Sequence, residues 1–409
     1  MKAIQFHASI PRYLLGLSFG RLFPNLLWSG LSCTRLFDVP EIKLPSSDWI
    51  RINTCLGGIC GSDIGTIYLN ASPYFSAFTS FPYTFGHENL GLISDVSPAL
   101  GEWKKGERVV VEPLLWCQPR GFEKFCRYCA RGEINRCERI TDGAIDPGLM
   151  LGICRGTGGS WSSSFIAHHS QLFRIPEGVS DENALMVEPL AVGVHAVLQA
   201  RPGDGQTVLI VGAGTIGLVT LAAIRALGFG ARVIVLARHE FQAQAAYKLG
   251  ANEVILANHR SEYYAEISRF TGARVLQPMI GKRVCIGGAD ITFECAGNHG
   301  SLDDALRLTR NGGKVILVGM PGIVRGVDWS SIFIQELDVQ AAYTYNHAEN
   351  WEGRQWKTFD LVIELLSSRK LDLSWMVTHK FKLDDYANAF KLLKSRGREF
   401  VLKAAFTFG

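Results

Sequence analysis

Two textures of apolar and polar residues divide the chain. From Met1 to about residue 180 short apolar runs with β-like alternation are broken by Gly and Pro, as in Lys2-Ala-Ile-Gln-Phe6, Ile50-Arg-Ile-Asn-Thr54 and Arg108-Val-Val-Val-Glu112. This pattern predicts a β-rich domain. From about 185 strands alternate with amphipathic helices: strand 207–211, helix 215–228, strand 231–236, helix 240–249, strand 253–256, strand 290–294, helix 301–310 and strand 313–319. Such alternation predicts parallel βαβ units, hence an α/β fold with a doubly wound sheet. After about 345 the chain is expected to leave that sheet, with a helix near 357–368, a strand over 378–381 and a last helix near 384–395.

One stretch fits neither texture. Residues 11–32 are apolar, but Arg12, Arg21, Pro24 and Asn25 interrupt them and no small-residue cleavage site follows a basic start. A folded insertion is expected rather than a membrane span or leader. A lid, a subunit contact and extra core packing all suit its Leu, Phe and Trp content.

Composition narrows the picture. With 409 residues, 47% of them hydrophobic, the chain can bury a large core in two or three domains. A net charge of only +4 and the lack of a Lys/Arg block argue against a nucleic-acid partner and leave a small molecule as the expected one. Several of the ten cysteines stand at metal-ligand spacings, which favours reduced thiols and the cytoplasm.

The chemistry begins at Cys60 and His87, both good zinc ligands; a catalytic zinc site normally takes three protein ligands and keeps one position open. Glu188, in Met186-Val187-Glu188-Pro189, is the candidate third ligand, because it lies where the β-rich part gives way to the α/β part and a cleft would form. A carboxylate serving a helix N-terminus is the competing reading. Cys117, Cys126, Cys129 and Cys137 fall within 21 residues, and four thiolates make a closed structural zinc site by type.

Gly212-Ala-Gly214-Thr215-Ile216-Gly217 directly follows one predicted strand and opens a helix. In that context the glycines allow a tight turn, close approach of a pyrophosphate and close helix packing, so a dinucleotide is expected there. No carboxylate stands at 236–238, where an NAD-preferring fold usually holds the ribose. Arg238 could instead pair with a 2′-phosphate, which favours NADP while leaving NAD possible.

Together these residues resemble the zinc-dependent medium-chain dehydrogenase/reductase superfamily of alcohol, polyol and threonine dehydrogenases. The resemblance spans nearly the whole chain: Cys60-Gly-Ser-Asp63, Gly86-His-Glu88, the four-cysteine lobe over 117–137, Glu188-Pro-Leu, the glycine fingerprint, Glu294-Cys-Ala-Gly297 and Val318-Gly319. It implies a GroES-like catalytic domain from residues 1–185 and 345–409 and a Rossmann domain over 186–344. It also implies reversible hydride transfer between an alcohol, secondary or polyol-like, and NAD(P), in a homodimer or homotetramer. Cys60 and His87 would bind catalytic zinc, with Glu88 as a ligand or exchangeable ligand and Glu188 where polyol-type members place an acid. Ser62 would hydrogen-bond the reacting oxygen, and Asp63 would accept from His87. Residues 295–297 and 318–320, among them Cys295, Ala296 and Val318, would border the nicotinamide. Two features depart from the family: Gly65 replaces a histidine that ends the proton relay in many relatives, and the linker from Tyr68 to Phe85 is rich in aromatic residues. A zinc-free enone or quinone reductase and a non-catalytic nucleotide-binding protein are the competing readings.

Overall fold

The computed structural model describes residues 1–257, 262–395 and 397–408. The chain forms two compact units. The first comprises Met1–Glu188, Asn346–Ala348 and Phe359–Gly409, the second Pro189–Tyr345 and Glu349–Thr358. Glu188 is thus the last residue of the first unit before the chain enters the second.

The first unit is built on the 11-residue strand Trp49–Ile59. It pairs antiparallel with Asn89–Asp95, Ser164–His168 and Lys403–Thr407, so the C-terminus of the chain closes onto its first third. The parallel strand Val377–Lys382 extends the sheet on one side, and Arg108–Val111 and Leu172–Arg174 extend it on the other. A smaller sheet of Thr34–Asp38, Lys2–Phe6 and Tyr83–Thr84 lies alongside. Trp161 is fully buried in the core, with Phe85, Phe390 and Phe406 at centroid distances of 5.2, 5.7 and 5.1 Å. Its indole N–H donates to the Gly58 carbonyl at 2.8 Å, so the ring is buried with its polar handle satisfied.

The insertion near the N-terminus is partly core packing and partly exposed apolar surface. Residues Ile10–Phe19 form a helix and Pro24–Trp28 a 3-10 turn. Leu27 and Trp28 join the core, where the Trp28 ring meets Tyr68 and Phe390 edge-on. Ile10, Leu14, Leu17, Phe19, Leu22 and Phe23 stay exposed. The aromatic linker splits in the same way: Tyr83 and Phe85 are core residues, Tyr83 stacked on Phe6 and Phe85 meeting it edge-on, whereas Tyr74 is exposed.

The second unit holds a six-stranded, wholly parallel sheet. Its order is Glu253–Leu256, Arg232–Ala237, Thr207–Val211, Ala289–Glu294, Thr309–Leu317 and Asp338–Ala341. The first strand in sequence therefore sits inside the sheet, and the order reverses between Thr207–Val211 and Ala289–Glu294. That reversal opens a crevice beyond the carboxyl ends of these two strands. Val208 to Val211 are all buried, as the unbroken apolar run of a strand covered on both faces requires. The predicted helix over 301–310 begins two residues earlier, at His299, because Asn298 caps it by accepting from the Gly300 and Ser301 amides. Its strand then starts at Thr309, since Thr309 already pairs with Ala289.

Candidate functional site

Cys60 caps the helix Gly61–Ile67 at the end of the long strand. Asp63, three residues on, reaches back to accept from the Cys60 amide at 3.0 Å, one half of a capping box. Its other oxygen lies 3.6 Å from His87 Nδ1. One buried carboxylate thereby sets the backbone of Cys60 and the ring of His87. Burial pushes the Asp63 carboxyl up, against the opposing charge of His87.

His87 and Glu88 sit between two strands, and Gly86 makes the turn into them with φ +100°. A Cβ on Gly86 would lie 2.4 Å from Ser160 Oγ and 2.5 Å from the Trp161 ring, so the glycine of this motif answers to both conformation and space. Glu88 is buried; its carbonyl accepts from Ser160 Oγ at 2.7 Å and from the Gly58 amide at 2.9 Å. A Cβ on Gly58 would collide with the Glu88 carboxylate.

Ligand atoms of Cys60, His87 and Glu88 all lie within 4.8 Å of one another. Glu188, the third ligand expected from its place in the chain, stays outside this set. It sits, almost fully buried, in the first turn of the helix Val187–Ala200. Its charge still reaches His87 and Lys403. Lys403 is the residue that the sequence reading missed: fully buried, its ammonium pairs with Glu88 Oε2 and donates to the Ile59 carbonyl at 3.2 Å. Nothing local in Leu402-Lys403-Ala404 signals this, because the contact spans more than 300 residues. Burial lowers the Lys403 pKa, but Glu88, Cys60 and Glu188 outweigh it and the net direction is up. Burial likewise opposes charge on His87, yet Asp63, Cys60 and Glu188 raise it well above the usual range. A soft thiolate, an imidazole and a carboxylate in so negative a setting fit a divalent zinc ion.

The four-cysteine lobe is equally well formed for a metal. Cys117, Cys126, Cys129 and Cys137 are buried with their sulfurs within 4.8 Å. Cys117 Sγ and Cys137 Sγ are 3.7 Å apart. A tetrahedron with Zn–S of about 2.3 Å has edges of about 3.8 Å. Amides of Cys126 and Arg139 point at the Cys117 and Cys137 sulfurs at 3.3 and 3.4 Å. The loop from Cys117 to Cys126 is held by Arg120, a buried guanidinium that donates to the carbonyls of Leu115, Asp142 and Gly148 at 2.9, 2.8 and 2.5 Å.

In the second unit Gly212 turns the chain with φ +102° beyond the strand Thr207–Val211, and Thr215 and Ile216 begin the helix Thr215–Ala226. A Cβ on Gly217 would lie 1.9 Å from the Gly212 carbonyl oxygen, so helix and strand approach closely only with glycine there. A Cβ on Gly214 would meet nothing, which leaves open space beside the helix N-terminus, as a pyrophosphate needs. Cys295 and Ala296 follow the neighbouring strand, with the Cys295 amide donating to the Val211 carbonyl at 2.9 Å. Val318 follows the next strand and bonds back to Glu294. Arg238 is exposed at the carboxyl end of Arg232–Ala237.

Residues 46–177 match the alcohol dehydrogenase GroES-like domain, and residues 215–367 match the zinc-binding dehydrogenase family. The chain is 31% identical to a sorbitol dehydrogenase of Arabidopsis thaliana over 333 residues, 81% of each chain. It is also 31% identical to an L-idonate 5-dehydrogenase of Vitis vinifera, covering 84% of each. A crystal structure of an Escherichia coli oxidoreductase/dehydrogenase of unknown specificity superposes with a TM-score of 0.74 at 27% identity, covering 92% of this chain and 96% of that one. The chain belongs to the zinc-dependent medium-chain dehydrogenase/reductase superfamily.

Proposed function

We propose that this protein is a zinc-dependent oxidoreductase that moves a hydride between a secondary alcohol or polyol and a nicotinamide dinucleotide, reversibly. The observation that carries the reading is the convergence of Cys60, His87 and Glu88 within 4.8 Å. The sorbitol and L-idonate dehydrogenases among its relatives support the class of substrate. When bound, zinc supplies a Lewis acid and the nicotinamide supplies the hydride acceptor or donor. Cys60, His87 and Glu88 are the ligands in this reading, and Glu188 lends its charge from outside the donor set. Asp63 orients His87, Lys403 holds one oxygen of Glu88, and Ser62, at the start of the helix, hydrogen-bonds the reacting oxygen. The second zinc belongs to Cys117, Cys126, Cys129 and Cys137.

Purified protein should contain about two zinc ions per chain and should oxidise members of a panel of secondary alcohols, polyols and amino alcohols. Protein without zinc would instead favour an enone or quinone reductase on the same fold, and zinc-loaded protein inert to the whole panel would favour a binding protein. Gly65, where many relatives carry the relay histidine, is not demanded by packing, since a Cβ there meets nothing within 4 Å. The proton released at Ser62 is therefore passed to water or to a ribose hydroxyl in this reading.

NADP is the proposed cofactor, because Arg238 stands exposed where an acid would hold the ribose of NAD. Arg238→Ala should lower kcat/KM for NADP by about ten- to a hundredfold, the cost of a charge-assisted pair, and leave NAD almost unchanged. Equal losses with both nucleotides would remove Arg238 from the discrimination.

Assembly into a homodimer is proposed through Asp338–Ala341, the last strand of the parallel sheet, which among the described residues pairs only with Thr309–Leu317. Phe333 and Ile334, 87% and 72% exposed, stand just before it. A proline at Gln340 should shift the protein to monomer in light scattering, and an unchanged mass would place the contact elsewhere. The ten cysteines, all free, support residence in the cytoplasm. Among the described residues no helix is long and apolar enough to cross a membrane.

A further inference from the structure

We propose that Glu294 is a positioning residue that ties together the two loops flanking the nicotinamide, 295–297 and 318–320. The inference rests on the nucleotide-binding reading of this unit. Glu294 ends the strand Ala289–Glu294 and is fully buried. Its Oε1 accepts from the amides of Ala296 and Gly297, each at 2.9 Å. Its main-chain carbonyl accepts from the amides of Val318 and Gly319 at 2.9 and 2.7 Å. Two donors of the first loop thus end on the Glu294 carboxylate, and two of the second end on its main-chain carbonyl, so the side chain holds the first loop and the backbone the second.

The glycines around it show how tightly the loops meet. A Cβ on Gly319 would lie 2.5 Å from the Gly297 amide nitrogen and 2.8 Å from Glu294 Oε2. Gly297 itself has φ +65°, and a Cβ there would lie 2.9 Å from the Met320 carbonyl oxygen. On its other side the first loop reaches the glycine turn: a Cβ on Gly212 would meet the Ala296 methyl at 2.9 Å. A shift of the Ala296–Gly297 turn would thus be felt at both the pyrophosphate turn and the nicotinamide end. Burial pushes the carboxyl up while the Ser301 hydroxyl and the Gly297 and Ala296 amides oppose it. What the site needs from Glu294 is an acceptor, which a neutral amide of the same shape also provides.

The test compares Glu294→Leu, Glu294→Gln and Gly319→Ala in the full-length, zinc-loaded protein, by fluorescence titration with NAD(P)H, steady-state kinetics and metal content. Glu294→Leu should weaken NAD(P)H binding about tenfold or more and raise its KM, with zinc per chain unchanged, while Glu294→Gln stays within about threefold of the parent. Gly319→Ala, whose added Cβ would crowd both the Gly297 amide and the Glu294 carboxylate, should reproduce the leucine defect and serves alone if Glu294→Leu does not fold. Binding in either of these variants within about twofold of the parent overturns the proposal. So does a Gln variant as defective as the Leu variant. Parent protein that holds its zinc yet binds no NAD(P)H overturns the nucleotide-binding reading itself.

Discussion

Cys60→Ser is expected to lower turnover by about a hundred- to a thousandfold, on the scale of losing an electrostatic group at the reacting centre. Zinc should fall from about two per chain to about one, because the four-cysteine lobe shares no ligand with Cys60. Nucleotide affinity should not change, since Gly212, Gly214 and Gly217 lie in the other unit. The serine hydroxyl is a far poorer ligand than a thiolate at neutral pH, while the helix it caps tolerates serine well. Loss of activity should therefore come without loss of fold. Metal analysis, kinetics and an NAD(P)H titration on one preparation separate these effects, and retained turnover would remove the metal from the mechanism.

Lys403→Met should destabilise the protein by about 3–5 kcal/mol, the usual cost of leaving one member of a buried ion pair without its partner. The methionine fills similar volume, so the loss measures the charge left on Glu88 rather than a cavity. Denaturant unfolding of protein freed of its catalytic zinc reads it, since zinc bound at Glu88 would itself compensate the carboxylate. Adding Glu88→Gln in the same chain should restore much of the stability, since neither partner is then charged, although the metal ligand is lost. Additive losses in the double variant would show that the two side chains do not act as a pair.

What relates these two residues could not be read from either motif. Cys60-Gly-Ser-Asp63 and Gly86-His-Glu88 announce metal chemistry through residue type and spacing, because cysteine and histidine, ten of each, are few and the turn at Gly86 demands glycine. Lys403 announces nothing: one lysine among many becomes a buried counter-ion only because Lys403–Thr407 pairs with the strand that delivers Cys60. Arg120 is a similar case. That this guanidinium would hold the loop after Cys117 by three carbonyls depends on where Asp142 and Gly148 arrive. Glu88 and Glu188 were both expected near the metal; the structure draws Glu88 within 4.8 Å of the thiol, while Glu188 sits buried nearby with its charge reaching His87 and Lys403.

The sequence by itself determined the class of fold, the glycine turn and both sets of metal-binding residue types, because periodicity, glycine placement and ligand spacing are local properties written into short windows. Only the tertiary structure decided which carboxylate faces Cys60 and His87, which cation compensates it, and which half of the apolar insertion and of the aromatic linker is buried. Those outcomes depend on strand pairing and packing between residues hundreds of positions apart, where desolvation makes each charge require a partner that no local pattern names.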